Sequence, residues 1–378
     1  MKIMMVRDRN VLNTNWLVYL ANLFASNNHD VIIACDTYSK LGKTGVGYDL
    51  DTRVRVINLN AKTKNRMINA YRFLREKVFV PYFRFNKLIK REKPDILLSY
   101  FPVDLYNITR FQNHKIPIIQ MVHGEPSIVF KKYLKANFLK KFICRKSFAK
   151  VHTFQVLMNS FEKTMQNIIK TKNIVRIANP VKQYRDNELV DLNNEKKKII
   201  YVARVEKKIK RPHLLIEAFA KIAKDFPDWK VEIWGLAKYE DYNNEINNFI
   251  TEHHLENQVC LAGYAQNMDA LYKSADIHAF PSKSEGFSLA IADAMSIGLP
   301  HIGFSDADSV NEIIIDGHNG FLVNDIDEFA EKLKILISKK DLRIEFGKNA
   351  NVDMREYAPA VLVDKWNKLF NRILKENK

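Results

Sequence analysis

Phe280-Pro281-Ser282-Lys283-Ser284-Glu285-Gly286-Phe287-Ser288-Leu289-Ala290-Ile291-Ala292-Asp293-Ala294-Met295 reads as a strand end, a turn and the start of a helix. A short buried-type run closes at Phe280, Pro281 and the serines break it, and an alanine-rich amphipathic segment follows. Working outward, the same unit recurs along the chain. Strands are expected at 2–6, 30–35, 54–58, 95–99, 117–122, 151–154 and 174–177, separated by helical patterns at 11–26, 64–92, 132–148 and 158–169. After a polar stretch from Gln183 to Lys198 the alternation restarts. Further strands lie near 199–203, 230–234, 258–261, 277–280 and 300–303, with helices at 211–225, 239–254, 266–274 and 287–297 between them. Strands alternating with amphipathic helices predict α/β layers around parallel sheets. Two doubly wound, Rossmann-like units in series are expected, 1–181 and 182–358, facing a cleft at the carboxyl ends of their strands, where open α/β sheets bind ligands. A helix over 359–378, with Leu362, Trp366, Leu369, Phe370 and Ile373 on one face, is expected to pack across the two domains.

The 378 residues, with 47% hydrophobic and 27% charged side chains and only 12 Gly and 11 Pro, describe an ordered globular chain. Cys35, Cys144 and Cys260 are too scattered for a disulfide framework or a zinc site. No apolar run approaches the ~20 residues that cross a bilayer. A cytoplasmic protein is expected. The net charge of +17 is unevenly spread, with +21 on residues 1–180 and −4 on the rest. Such asymmetry points one half at an anionic partner.

Within the turn, free N–H groups at the start of a helix near Gly286 suit a phosphate. Glu285 stands at its mouth and Asp293 eight residues on. Along a continuous helix at ~1.5 Å per residue the two carboxylates would be about 12 Å apart. That is too far for a pair acting on one glycosidic bond, which needs about 5–9.5 Å. The two acids suit opposite ends of one long ligand. A helix-capping Glu285 and a solvated Asp293 fit the same spacing equally well.

Pro281 to Phe287, Asp293, Ala294-Met295, Gly298-Leu299-Pro300 and Glu312 to Val323 resemble the donor-binding signature of retaining glycosyltransferases of family 4, which have the GT-B fold. The run Tyr201 to Phe219, containing Arg204, Lys208, Lys210, Arg211 and Pro212, resembles the diphosphate-binding segment of that family. Val231-Glu232-Ile233-Trp234-Gly235 and Leu261-Ala262-Gly263-Tyr264 complete the order across 200–325. The resemblance implies transfer of a hexose or N-acetylhexosamine from a nucleotide-sugar, UDP-linked rather than GDP-linked, to a lipid-linked or surface-glycan acceptor in bacterial polysaccharide, lipopolysaccharide or capsule-type synthesis. It implies retention by a front-face mechanism, no cofactor and no required metal.

By the same resemblance Glu285 meets the donor sugar, Asp293 holds the ribose, and Arg204 and Lys210, or Lys208 in its place, contact the diphosphate. Preorganised cations are what stabilise a departing diphosphate. Ser284, Gly286, Phe287, Ser288 and Gly235 join the donor site. In the first half, Ile119-Gln120-Met121-Val122-His123-Gly124 resembles the strand-end histidine that touches the donor sugar. Three departures stand out. Asp293 replaces the usual Glu, Lys210 lies six rather than five residues after Arg204, and Asp306 to Asn311 replaces a glycine pair. The glycine-rich turn after the first strand is also missing, so Arg7, Arg9 or Asn10 is expected to make the acceptor or phosphate contact usually made there by backbone. Asp49-x-Asp51, Asp306-x-Asp308 and Asp325-x-Asp327 each match the D-x-D metal-diphosphate pattern, and three chance copies show how little it carries. A same-fold sugar phosphorylase, a sugar-nucleotide epimerase and a non-catalytic basic scaffold are the alternatives.

The basic half has two acid-poor runs. Lys131, Lys132, Lys135, Lys140, Lys141, Arg145, Lys146 and Lys150 lie between Phe130 and Lys150 with no acid among them. From Lys62 to Lys93 eleven cations stand against Glu76 and Glu92. Interleaved aromatics suit the interface of an anionic membrane, and also single-stranded nucleic acid. The resemblance favours the membrane over an acidic soluble acceptor and over nucleic acid. Peripheral attachment at the inner face of the cell membrane is expected, with Lys131, Lys132, Lys140 and Lys141 in contact.

Overall fold

The computed structural model describes residues 1–7, 15–35, 49–59, 81–109, 114–135, 137–237 and 239–377. Arg9, Asn10 and the segment 60–80 of the second basic run lie outside the described residues. Contacts divide the chain into Met1–Ile177 with Val363–Lys378, and Ala178–Leu362. The sequence reading set the first division at 181/182. The chain leaves the first unit a few residues earlier, because Ile177 still donates to Val156 whereas Val181 donates to Tyr357.

The first unit is built on β1 (Lys2–Arg7), β2 (Asp30–Cys35), β3 (Arg55–Asn58), β4 (Ile96–Ser99), β5 (Ile118–Val122), β6 (Thr153–Val156) and β7 (Ile174–Arg176). They form one sheet in the order β3-β2-β1-β4-β5-β6-β7, and each neighbouring pair is parallel. A parallel sheet buried on both faces explains why these strands read as continuous Ile, Val, Met and Leu runs. Helices α1 (Asn15–Ser26), α2 (Pro81–Glu92), α3 (Pro102–Thr109), α4 (Pro126–Leu134), α5 (Phe138–Phe148) and α6 (Asn159–Ile169) connect them. The single helix expected over 132–148 is two. Pro126 opens the first of them at the N1 position it favours. Asn137, a favoured N-cap residue, opens the second, its carbonyl accepting from Lys141.

The second unit holds β8 (Lys198–Val202), β9 (Lys230–Trp234), β10 (Val259–Gly263), β11 (Ile277–Phe280), β12 (His301–Phe304) and β13 (Gly320–Val323). Their order is β10-β9-β8-β11-β12-β13, again parallel throughout. Around them lie α7 (Pro212–Ala220), α8 (Glu240–Glu252), α9 (Met268–Lys273), α10 (Leu289–Ser296), α11 (Val310–Ile313), α12 (Ile326–Ser338) and α13 (Lys340–Asp353). The last helix, α14 (Pro359–Glu376), places Trp366, Leu369, Phe370 and Ile373 in the core of the first unit with Leu17, Leu20 and Phe24. Phe24 meets the rings of Trp366 and Phe370 edge-on at 5.6 and 5.4 Å. Among the described residues no helix is long and apolar enough to cross a membrane.

Both sheets reverse their winding at one place, between β1 and β4 in the first and between β8 and β11 in the second. Crevices at the carboxyl ends of such strand pairs are where doubly wound sheets take ligands.

Candidate active site

At the reversal in the second sheet, the chain leaving β8 and the chain leaving β11 are laced together. Lys283 N–H donates to the Ile209 carbonyl at 2.8 Å, and the Ser282 hydroxyl oxygen lies 3.2 Å from the same carbonyl oxygen. Arg211 donates to the Pro281 carbonyl at 2.8 Å, pairs with Asp306 at 3.3 Å and lies over the Phe304 ring. These contacts bring Lys210 onto Glu285, with the Lys210 ammonium 2.5 Å from Oε1. The Ser282 hydroxyl donates to that oxygen at 2.5 Å. Both ends of the pair are mostly shielded, the side chains being 14% and 10% exposed. Lys208 is exposed and makes no such contact.

Arg204 behaves differently. Its side chain is 61% exposed and 3.7 Å from the Glu206 carboxylate, so its guanidinium is free to turn toward an anion. Beside it a cavity of about 230 Å³ is lined by Trp234, Gly235, Leu236, Tyr264 and Met268. Gly235 is required there. At its φ of +155° a Cβ would sit 1.8 Å from the Ala203 carbonyl oxygen, a conformation and an approach that only glycine accepts. A larger cavity of about 590 Å³, between residues 186–193 and α13, contains none of the expected site residues.

The helix after the turn begins at Leu289, not near Gly286. Ser288 takes the cap position, its carbonyl accepting from Ala292 while its side chain makes no capping bond. Glu285 therefore lies ahead of the helix on an irregular loop with Ser284 and Gly286, and the spacing of 12 Å that assumed a continuous helix does not apply. Phe287 is buried against Tyr357, their ring centroids 5.2 Å apart. Asp293 lies on the second turn of α10, and its carboxyl makes no hydrogen bond to a described residue. Burial, reinforced by the nearby Asp269 carboxylate and opposed by Lys182, pushes its pKa up to about 7.

In the first unit the strand-end expectations meet at the other reversal. His123, just past β5, stacks on Tyr100 with ring centroids 4.3 Å apart. Its Nε2 is buried with no hydrogen-bond partner among the described residues, and burial pushes the ring down to about 3, so it is neutral. Arg7, at the end of β1, is largely buried over the Phe101 ring at 4.5 Å, and its charge is met by Asp104 at 3.8 Å. Lys131 and Lys132 lie on α4 and Lys140 on α5, where only their backbone is described, and Lys141 is half-buried on α5. Ser282 and Tyr100 were not singled out by the sequence; both act through partners 3 and 23 positions away in the chain, which residue type alone does not signal.

The D-x-D sequences have local structural partners. Asp51 pairs with Arg53, Asp306 with Arg211, and Asp325 caps α12 by accepting from Glu328 N–H at 2.8 Å. Among the described residues no group of three or more His, Cys, Asp or Glu converges as a metal site would require.

Residues 185–353 match the family model described as Glycosyl transferases group 1, and residues 2–160 match one described as Glycosyl transferase 4-like. An uncharacterized glycosyltransferase of Haemophilus influenzae is 24% identical over 92% of this chain and 93% of its own. A Campylobacter jejuni enzyme is 23% identical over 86% of this chain and 87% of its own. That enzyme is named GalNAc-alpha-(1->4)-GalNAc-alpha-(1->3)-diNAcBac-PP-undecaprenol alpha-1,4-N-acetyl-D-galactosaminyltransferase. A TarM mutant of Staphylococcus aureus, solved with fondaparinux, alpha-GlcNAc-glycerol and UDP, superposes with a TM-score of 0.75 at 17% identity, covering 98% of this chain and 99% of that one. At that identity the likeness shows the fold, two Rossmann-like parallel-sheet units as in GT-B proteins. Glycosyltransferase family models thus match along both units, the 4-like model in the first and the group 1 model in the second.

Proposed function

We propose that the protein is a retaining glycosyltransferase that moves a hexose or N-acetylhexosamine from a UDP-sugar to a lipid-linked or surface-glycan acceptor at the inner face of a bacterial membrane. The observation that carries the reading is the Lys210–Glu285–Ser282 cluster at the winding reversal of the second sheet, with Arg204 and an apolar cavity beside it. The cavity would take the flat base, Asp293 the ribose hydroxyls, and Arg204 with Lys210 the diphosphate. Ser284, Gly286 and Ser288 would border the phosphates and sugar, while Phe287 fixes the loop from behind. Glu285, already oriented by two donors, would accept from sugar hydroxyls.

In the reaction the bond between the anomeric carbon and the diphosphate oxygen breaks, and the acceptor hydroxyl forms its bond to that carbon from the same face. The proton of that hydroxyl passes to the leaving diphosphate oxygen. Negative charge grows on the diphosphate, where Lys210, held in advance, and Arg204, free to turn onto it, would lower the barrier. No metal is required on this reading. His123 belongs to it as a neutral hydrogen-bonding ring with Nε2 unpartnered. The test is a panel of nucleotide-sugars with undecaprenyl-linked and polysaccharide acceptors in EDTA. Release of UDP, with an unchanged anomeric configuration in the product by NMR, is expected. Inverted product, or turnover lost in EDTA and restored by Mn²⁺, would overturn the corresponding part.

A further inference from the structure

The outer face of α5 has an unusual composition. Phe138 is 86% exposed and Phe142, one turn on, is 48% exposed. Residues four apart share a helix face, so the two rings form one patch. Lys141, Arg145 and Lys146 flank it, and the Lys146 ammonium lies 4.5 Å from the Phe142 ring centroid. Ile128 on α4, which packs beside α5, adds a third large apolar side chain at 60% exposed. The inner face is already complete. Cys144 and Phe148 are buried there, and Phe148 stacks edge-on with Phe130 at 5.3 Å and Phe154 at 6.4 Å. The two outward rings therefore do nothing for the core.

A water-facing helix usually carries its apolar stripe inward and polar groups outward. Here aromatic rings and cations share the outer face, within a stretch of 21 residues, Phe130 to Lys150, that contains no acid. A soluble polyanion would use the cations and leave Phe138 in water. A protein partner with an apolar groove would use the rings and meet a net positive rim. One surface takes both, with phosphates at one depth and hydrocarbon just beneath. We propose that the outer face of α5 docks on an anionic phospholipid bilayer, with Phe138 and Phe142 entering the boundary between headgroups and acyl chains and Lys141, Arg145 and Lys146 meeting lipid phosphates. The geometry is that of interfacial rather than spanning attachment. It gives a molecular basis to the membrane-face acceptor of the reading above, and rests on that reading only for its biological purpose.

The experiment is co-sedimentation of the full chain with vesicles of phosphatidylglycerol or of phosphatidylcholine, with UDP-induced thermal stabilisation followed in parallel. Binding to phosphatidylglycerol alone is expected. Phe138→Ser with Phe142→Ser should weaken it by about tenfold per ring and make the remainder fully salt-sensitive. Lys141→Gln, Arg145→Gln and Lys146→Gln together should weaken it roughly a hundredfold, at about fivefold per cation. Phe138→Trp should shift its fluorescence to the blue on phosphatidylglycerol vesicles. Equal binding to both lipids, unchanged binding of the double Phe variant, or an unshifted tryptophan would overturn the proposal and leave the face to a soluble polyanion. Failure of UDP to stabilise a protein that still binds vesicles would count against the glycosyl-transfer reading and not against this surface.

Discussion

The Lys210 ammonium lies 2.5 Å from the Glu285 carboxylate although 75 positions separate the two in the chain. The parallel β8–β11 pairing makes this possible, because it puts the carboxyl ends of both strands at one edge of the sheet. The same Glu285 oxygen accepts from Ser282, so the carboxylate is held from two sides before any ligand arrives.

If this pair acts on charge that develops in the transition state, Lys210→Ala and Glu285→Gln should each lower turnover by roughly 10²–10³. Ser282→Ala removes one orienting bond and should cost less than about tenfold. Lys208→Ala should leave turnover near wild type. Steady-state kinetics on the four folded variants check this, and a Lys208→Ala loss equal to that of Lys210→Ala would reassign the cation.

With Asp293 on the ribose, as proposed, UDP binding should depend on pH. Its carboxyl is raised to about 7 by burial and by Asp269, so it is largely protonated at pH 6 and ionised at pH 8. Ribose hydroxyls donate best to the ionised form, so UDP should bind more tightly as pH rises from 6 to 8 and level off above. Asp293→Asn should flatten the profile and raise the donor Michaelis constant more than it lowers turnover. Calorimetric titration of UDP at several pH values reads both effects. Folding shows the opposite sign for this group. The folded state holds the proton that the unfolded chain releases above about 4, so the stability it contributes falls as pH rises from there to about 7.

The strands were legible because parallel, doubly covered strands must be apolar along their whole length, and all those expected are present within a few residues. Nothing in the local period marks the strand Gly320–Val323 or the helix Pro102–Thr109. They are four and eight residues long, too short for a period to declare itself. Lys340–Asp353 shows no clear apolar period because charged and amide residues dominate it. Glu285, Lys210 and Asp293 were identifiable as residues, but not their arrangement. The ion pair depends on sheet order, and the elevated Asp293 pKa depends on burial beside Asp269, seen only in three dimensions. On α5 the sequence showed alternating aromatics and cations without showing that Phe148 faces in while Phe138 and Phe142 face out.

Beneath the site, His278 and His301 sit side by side on β11 and β12, fully buried, with His278 Nδ1 2.7 Å from His301 Nε2. Burial holds both neutral, pushing His301 down to about 3 and His278 well below its ordinary value. The unfolded chain takes up protons below about 6.5 that the folded state refuses, so stability is present above that pH and is lost as pH falls toward 3. The melting temperature should drop steeply between pH 6.5 and 4.5, and a His278→Phe, His301→Gln variant should show a shallower slope. An equal slope in both proteins would place the acid lability elsewhere.

Gly235→Ala should both destabilise the fold and close the cavity beside Arg204. The added methyl would meet the Ala203 carbonyl carbon at 2.6 Å and its oxygen at 1.8 Å, and a strained backbone of this kind costs about 1–3 kcal/mol. A lowered melting temperature with weakened UDP binding is expected. Gly263→Ala also falls at positive φ but meets nothing within 4 Å. It should lower stability less and spare UDP.

Thermal-shift titration of UDP against uridine asks whether the loops after β8 and β11 grip a nucleoside diphosphate. UDP at 100 times its dissociation constant should stabilise the folded protein by about 2.7 kcal/mol, and uridine at the same concentration should do far less. Arg204→Ala and Lys210→Ala should remove most of the difference between the two ligands. If UDP and uridine stabilise the wild type equally, or if neither variant changes the UDP response, the diphosphate is not held by Arg204 and Lys210.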